Sequence, residues 1–185
     1  MATSPSSGFS PSDELYSPVE PACSLADPAE LLNAYLDYYR DVVLRKLAGM
    51  SEQALRMSLL PSGWSPLELV RHLTFMEGRW FEWGFLARPV EQPWGDRNGS
   101  RTRWEVPAGM SSADVIAEFT AQAARSRAAV ADAALHDRAA VGGRFASEAE
   151  APTLAWTLFH VLQEYARHAG HLDVVRELSD GTLGE

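Results

Sequence analysis

Apolar residues recur at three- and four-residue steps in four stretches of the chain, which is the spacing of helices that bury one face. The first stretch begins after Asp27, a residue type that favours the N-cap, with Pro28 at the first helical position. It continues to about Leu47 and stops before Gly49. The pattern therefore predicts a first helix over these residues.

The second predicted helix has the strongest start signal in the sequence. In the run SPLE, Ser65 stands at the N-cap, Pro66 at the first helical position and Glu68 at the third, which is the pattern of a capping box. The helix is expected to end near Arg88 and the proline that follows. Its apolar stripe includes two tryptophans, expected in the core, and a histidine: Leu69, His72, Leu73, Met76, Trp80 and Trp83. This histidine is therefore expected to point into the core or along its edge.

Two further helices are predicted in the second half of the chain. The third starts at Ser111 or Ser112 and continues through an alanine-rich body to about Leu135. The fourth extends from Thr153 to Leu178, where an Asp-Gly pair ends the pattern. No stretch has a convincing strand pattern, and the sequence shows no internal repeat. The predicted fold is therefore all-α, a four-helix bundle.

The remaining segments have the composition of loops. Residues 89–110 contain prolines, glycines and an Asn-Gly pair, and residues 136–152 form a second long loop. Residues 1–27 are rich in serine and proline and lack periodicity, so they are predicted to form an extended arm outside a bundle of residues 28–180. Three apolar residues are candidate anchors for this arm: Leu15, Tyr16 and Val19.

Composition and charge exclude several classes of partner. The 185 residues carry a formal net charge of -9 at pH 7, and the basic residues are dispersed, so no nucleic-acid partner is expected. No run approaches the roughly 18 apolar residues of a membrane span. The single cysteine, Cys23, excludes an intramolecular disulfide, and the N-terminus lacks the pattern of a secretion signal. The expectation is a soluble, cytoplasmic protein.

The last predicted helix carries a concentrated group of polar residues. His160, Glu164, His168 and His171 form a narrow stripe beside its apolar face. Residues four apart rise by about 6 Å on the same side of a helix, so Glu164 and His168, or His160 and Glu164, could close on one ion. His72 is the obvious third donor because it is the histidine of another helix. The sequence therefore predicts a metal site that keeps coordination positions open.

The donor types limit which metals could bind, and other interpretations of these residues stay open. Imidazole with carboxylate suits Zn, Ni, Fe or Mn, and the absence of cysteine ligands disfavours a closed structural zinc site. The polar stripe could instead be a solvated shoulder of the helix, and His72 could be a core histidine bonded to a neighbour. His136, in a loop, is predicted to be solvated. Trp94 and Trp104, in the long central loop, are candidates for lining a pocket.

These residues carry a family resemblance. The run GWSPLELVRHLTFMEGRWFEWGF, followed later by HVLQEYARHAGHLDVVRE, resembles the DinB/YfiT-like superfamily. It is most similar to the actinobacterial branch with mycothiol-dependent maleylpyruvate isomerase and mycothiol S-transferases, and the likeness covers about residues 28–180. The resemblance implies a four-helix bundle whose divalent metal is held here by His72, Glu164 and His168. Many members have His-x-x-x-His at the last pair, and the Glu-x-x-x-His of this chain is the form of the mycothiol branch.

The resemblance also implies a reaction. A low-molecular-weight thiol, with mycothiol as the cosubstrate, would bind a metal, Zn or Ni by preference, and react as its thiolate with a small electrophile. The outcome would be S-transfer, or isomerisation when the thiol adds and leaves again. His171 is the candidate acid–base residue beside the metal, and hydrogen bonding to a ligand, support of a metal-binding side chain or a place on a solvated polar shoulder are its alternative roles. A binding protein without turnover and a metal-dependent hydrolase are the alternatives. A homodimer is also predicted, from the arm and the apolar surfaces of the bundle.

Overall fold

The computed structural model describes residues 19–90 and 104–183, and within these ranges the protein is all-α, as predicted. One isolated bridge, between Arg138 and Thr153, is the β pairing found among the described residues. The α-helices are α1 (Pro28–Leu47), α2 (Glu52–Arg56), α3 (Pro66–Glu77), α4 (Ser112–Val130) and α5 (Leu154–Asp180). The helix α3 continues directly into a π-helical segment, Gly78–Phe85.

Local capping interactions fix where the helices begin. The side chain of Asp27 accepts hydrogen bonds from the backbone N–H groups of the first turn of α1, at 2.9 Å. Ser65 and Glu68 form the predicted capping box of α3, and Ser111 forms another at the start of α4. Thr153 caps α5. These side chains satisfy backbone donors that a helix start leaves unbonded, and the predicted starts therefore agree with the structure.

Three features of the helices differ from the prediction. The third helix ends at Val130 and not near Leu135, because the carbonyls of Leu135 and Asp137 accept hydrogen bonds from the first backbone N–H groups of α5. The short helix α2 was not predicted, since five residues are too few to show a helical period. The second predicted helix changes to π-helical geometry at Gly78 and ends at Phe85, three residues before Arg88.

The four longer helices bury a single apolar core. α1 packs along α5, and α3 with its π-helical segment packs against both α4 and α5. The core takes residues from all four: Leu36 and Val43, Leu73 and Met76, Val115 and Phe119, and Leu158, Val161 and Leu172. Trp80 is buried in this core as predicted, whereas Trp83 is half-buried. The functional candidates on α3 and α5 therefore lie on two helices in direct contact.

A buried charged cluster joins α1, α3 and α5. Glu77, on α3, is 1% exposed and accepts hydrogen bonds from Nε of Arg40 at 2.8 Å and from the hydroxyl of Tyr165. Arg40 also pairs with Asp37 at 2.6 Å. Burial, and then the nearby Glu77 carboxylate, raises the pKa of Tyr165 well above its ordinary value, so the hydroxyl keeps the proton that it donates. The cluster links the helix of His72 to that of Glu164 and His168.

The N-terminal arm is described only from residue 19 onward. Leu15 and Tyr16 lie outside the described residues, and the division between an arm of residues 1–27 and a bundle of 28–180 stays a prediction. Val19 is 86% exposed, so its predicted role as an anchor is wrong. Within the ranges that the structure covers, no helix is both long and apolar enough to cross a membrane.

We predict that Tyr165→Phe destabilises the fold by about 1–3 kcal/mol, because the buried Glu77 carboxylate loses a hydrogen-bond donor that water cannot replace. Urea denaturation followed by circular dichroism measures the change. Tyr38→Phe is the matched control, since the Tyr38 hydroxyl makes no hydrogen bond to a described residue, and we expect less than about 0.5 kcal/mol there. Equal effects of the two substitutions would contradict the role given to the cluster.

Candidate functional site

Three side chains from α3 and α5 converge on one point. Nε2 of His72 lies 3.7 Å from Oε2 of Glu164, and Nε2 of His168 lies 3.4 Å from the same oxygen. One ligand atom from each residue lies within 4.8 Å of the other two. The structure therefore brings together the three residues that the sequence proposed as metal ligands.

The helix faces explain why these side chains meet. His72 shares a stripe of α3 with the buried residues Leu69 and Met76, so it is turned toward α5 and is only 4% exposed. On α5, Glu164 and His168 are one turn apart and point the same way. His168 is 3% exposed, whereas the side chain of Glu164 is 16% exposed. Glu164 is therefore the most accessible of the three residues.

The ring nitrogens of His72 are unusual for a buried side chain. Both Nδ1 and Nε2 are inaccessible to solvent and have no hydrogen-bond partner among the described residues. The Glu164 oxygen at 3.7 Å is too distant for a hydrogen bond. An unbonded buried polar atom costs free energy, and a metal ion bound to one of these ring nitrogens would offset that cost. The donor set of two imidazoles and a carboxylate fits a divalent transition metal.

The protonation states at the site also fit metal binding. The imidazole of His168, and after it that of His72, holds the pKa of Glu164 well below its usual range. Burial is the main cause that lowers the pKa of His168, although the adjacent Glu164 partly opposes it. At neutral pH the carboxylate is therefore ionised and the imidazole of His168 neutral. These are the forms in which both residues bind metals.

His171, the predicted acid–base residue, lies beside the three-residue cluster. Its Nδ1 is 3.2 Å from Nδ1 of His168, which turns Nε2 of His168 toward Glu164. Burial, and then His168, lowers the pKa of His171. His171 also borders a cavity of about 120 Å³ whose lining is largely apolar: Trp64, Pro66, Leu69, Leu172 and Val175.

Two tryptophans form an aromatic wall over the cluster. The ring centroid of Trp64 lies 5.6 Å from that of His168 and 6.0 Å from that of His72. Trp104 packs on Trp64 at 4.0 Å and on His72 at 4.3 Å, and its predicted place at a pocket stays a prediction. Trp94 lies outside the described residues. The role of Trp64 was missed, although its position directly before the capping box of α3 indicates a residue fixed near a helix start.

The other two histidines lie away from the cluster. His160, one turn before Glu164, stacks on Trp156 with centroids 5.2 Å apart and lies 4.2 Å from the ring of Trp80. It is not among the described residues whose ligand atoms converge, so the alternative pair of His160 with Glu164 gains no support. His136 has a side chain that is 90% exposed, as predicted.

A model of a protein family matches most of this chain. The model of a family described as mycothiol-S-transferase, MST, matches residues 31–181. The matched range includes the three converging residues, His171 and both tryptophans of the aromatic wall. No match was found among curated proteins.

The geometry predicts about one divalent metal ion per chain in protein purified without exposure to affinity-column metal. We expect His72→Ala, Glu164→Ala and His168→Ala each to abolish stoichiometric binding, because each removes one of three protein ligands. Elemental analysis by mass spectrometry measures the metal content. His160→Ala is the control, since it removes a histidine one turn from Glu164 and should leave the content unchanged. A metal-free wild-type protein that also binds no added Zn²⁺ or Ni²⁺ would refute the site.

Proposed function

Because this chain belongs to the mycothiol S-transferase family, we propose that it transfers a low-molecular-weight thiol, mycothiol, to a small electrophile at a metal centre of His72, Glu164 and His168. The observation that carries the proposal is the pair of unbonded, buried ring nitrogens of His72, which face the Glu164–His168 pair of α5. A thiol reaction also accounts for the open side of the cluster, where Glu164 is partly accessible.

The three side chains would hold a divalent ion, Zn or Ni, and leave coordination positions for the thiol. When bound, such an ion would lower the pKa of a coordinated thiol and so supply a thiolate near neutral pH. The chain itself contributes one negative charge through Glu164 and the neutral imidazole of His168, with the ring of His72 as the third ligand. This limited negative charge would leave the centre cationic enough to attract a thiolate.

The aromatic wall gives the site a second property. Trp64 and Trp104 cover the imidazole rings of His72 and His168 with apolar surface. Excluding water from this side would strengthen the electrostatic interactions of the bound thiol and protect a reactive electrophile from hydrolysis. The cavity beside Trp64 and His171 is proposed to receive the apolar part of the electrophile.

His171 is proposed as the residue that moves the proton. When His168 binds a metal through Nε2, its Nδ1–H donates to Nδ1 of His171, so neutral His171 carries its own proton on Nε2 and its basic nitrogen is Nδ1. Nδ1 of His171 would leave this hydrogen bond to accept the proton of the incoming thiol. The protonated ring would return a proton to a product formed by addition to an alkene, whereas a halide would leave with its own electron pair. His171 also borders the cavity proposed for the electrophile, so both proton positions lie within one small volume.

The cellular context and the oligomeric state remain predictions. A cytoplasmic location agrees with the need for a reduced thiol cosubstrate. α5 exposes four large apolar side chains, two toward each end of the helix: Trp156, Phe159, Val174 and Leu178. This face is the surface that we propose for the predicted homodimer. A twofold axis near the middle of α5 would place the start of this helix in one subunit against the end of the same helix in the other subunit.

The proposed activity predicts that metal-loaded protein conjugates mycothiol to monochlorobimane, which fluoresces on S-alkylation. His168→Ala should lower kcat/KM at least about 100-fold, because losing a metal ligand costs more than losing the partner of a ligand. His160→Ala should keep wild-type activity. Binding of the thiol without turnover would instead support a binding protein, and ester cleavage in the absence of any thiol would support a hydrolase.

For His171 we predict that His171→Gln lowers kcat about 10²–10⁴-fold while the metal content stays near that of the wild type. Gln keeps a polar group of similar length but cannot carry the proton. Kinetics with monochlorobimane and elemental analysis of the same preparation distinguish proton transfer by His171 from support of the metal ligand His168. A parallel loss of metal and activity would show that His171 only supports His168, and unchanged kcat would exclude it from proton transfer.

A further inference from the structure

A second concave site lies between α4 and the helix that carries His72. Its volume is about 460 Å³, within the range of pockets that bind small molecules. The lining of the described part combines cationic, polar and apolar side chains, among them Arg71, Arg79, Arg125, Glu82, Gln122 and Phe75. None of the three converging residues of the metal site lines it.

The helical period explains why one helix serves two sites. Arg71, Phe75, Gly78 and Glu82 follow each other at steps of four, three and four residues, so they lie on one side of α3 and its π-helical extension. His72 shares a neighbouring stripe with Leu69 and Met76, which faces α5. The cavity and the metal site are therefore separate faces of the same helix.

The charge of this cavity is opposite to that of the whole chain. Three arginines line it, and Glu82 is the acidic residue among its described lining residues, in a chain of net charge -9. Glu82 is already engaged, since its Oε1 accepts hydrogen bonds from Nε2 of Gln122 at 2.8 Å and from Nε of Arg125 at 3.1 Å. It holds Arg125 in place and neutralises only part of the positive charge.

Arg71 has only a long ion pair among the described residues. Its Nη1 lies 3.8 Å from Oε2 of the half-exposed Glu118, which is beyond hydrogen-bond distance. Its Nη1 contacts the thioether of Met110 at 3.0 Å, a weak acceptor, and its guanidinium lies 5.1 Å from the centre of the Phe75 ring. Nε of Arg71 is buried without a hydrogen-bond partner among the described residues. A largely buried guanidinium with an unused hydrogen-bond donor is suited to bind the oxyanion of a ligand.

We propose that this cavity binds a small organic anion, a carboxylate or phosphate ester with an apolar body. Arg71 and Arg125 would hold the oxyanion, because guanidinium groups pair with carboxylate and phosphate through parallel hydrogen bonds. Phe75, Pro89 and Val90 supply the apolar part of the lining. The proposal is independent of the proposed transferase activity, since the anion would not contact the metal ligands.

Isothermal titration of the metal-loaded protein with 1-naphthoate tests this site, with 1-naphthamide as the uncharged analogue. We expect naphthoate to bind at least about tenfold more tightly than the amide, and Arg71→Gln and Arg125→Gln each to weaken naphthoate about tenfold, as expected for a charge-assisted hydrogen bond. Arg127→Gln is the matched control: it removes the same charge from α4, but Arg127 pairs with Asp37 outside the cavity. 1-Naphthyl phosphate in place of naphthoate shows which of the two oxyanions the site prefers.

Equal affinity of the acid and the amide would overturn the proposal, and that comparison uses only the wild-type chain. Equal weakening by Arg125→Gln and Arg127→Gln would overturn it as well, since net charge alone would then explain the effect. His168→Ala separates this inference from the proposed function. Naphthoate binding that survives the loss of metal supports a separate cavity, whereas binding lost with the metal places the anion at the metal centre and refutes the inference.

Discussion

The shared carboxylate of Glu77 is the interaction on which the arrangement of α1, α3 and α5 depends. Removing a carboxylate and a guanidinium from water is costly, and the cost is offset only when both are hydrogen-bonded in good geometry. Arg40 and Tyr165, on two other helices, both donate to Oε1 of Glu77, whereas Oε2 is buried without a hydrogen-bond partner among the described residues. A slip of one helix past another would leave a buried charge without its partner. The cluster therefore fixes the register in which His72 faces the ligand pair of α5.

α3 is the element that carries residues of both proposed sites, because its neighbouring faces present different side chains. One face brings an imidazole to the acid and imidazole of α5, and the other brings guanidinium groups to α4. The change to π-helical geometry at Gly78 extends this helix without a loop and carries Arg79 and Glu82 into the second cavity. Short π-helical segments inside α-helices are common at functional sites. The helix joins two polar sites while its buried stripe, through Leu73 and Met76, still completes the core.

Interactions that are local in sequence were predictable, and among the contacts between distant residues the sequence indicated only that of His72 with the Glu164–His168 pair. The caps at Asp27, Ser65 and Thr153 involve residues at most three apart, and the helix starts follow from them. Glu164 and His168 are one turn apart, so their common direction needs only the helical period. The helix end at Val130 depends on carbonyls that bond to α5, and the partners Arg40, Glu77 and Tyr165 are far apart in the chain. No period or cap signals such contacts. The family match to residues 31–181 supports the resemblance that the two motifs carried.

The three converging residues come from two segments that are far apart in the sequence. Metal binding would therefore affect the stability of the fold in the cell. The unfolded chain offers an ion only the neighbouring pair of α5, whereas the folded chain adds His72 from α3. An ion that prefers the complete set would act as a cross-link, and its binding energy would become part of the stability of the fold. Starvation for that metal would then reduce how much of the protein survives proteolysis, in addition to how fast each surviving molecule works.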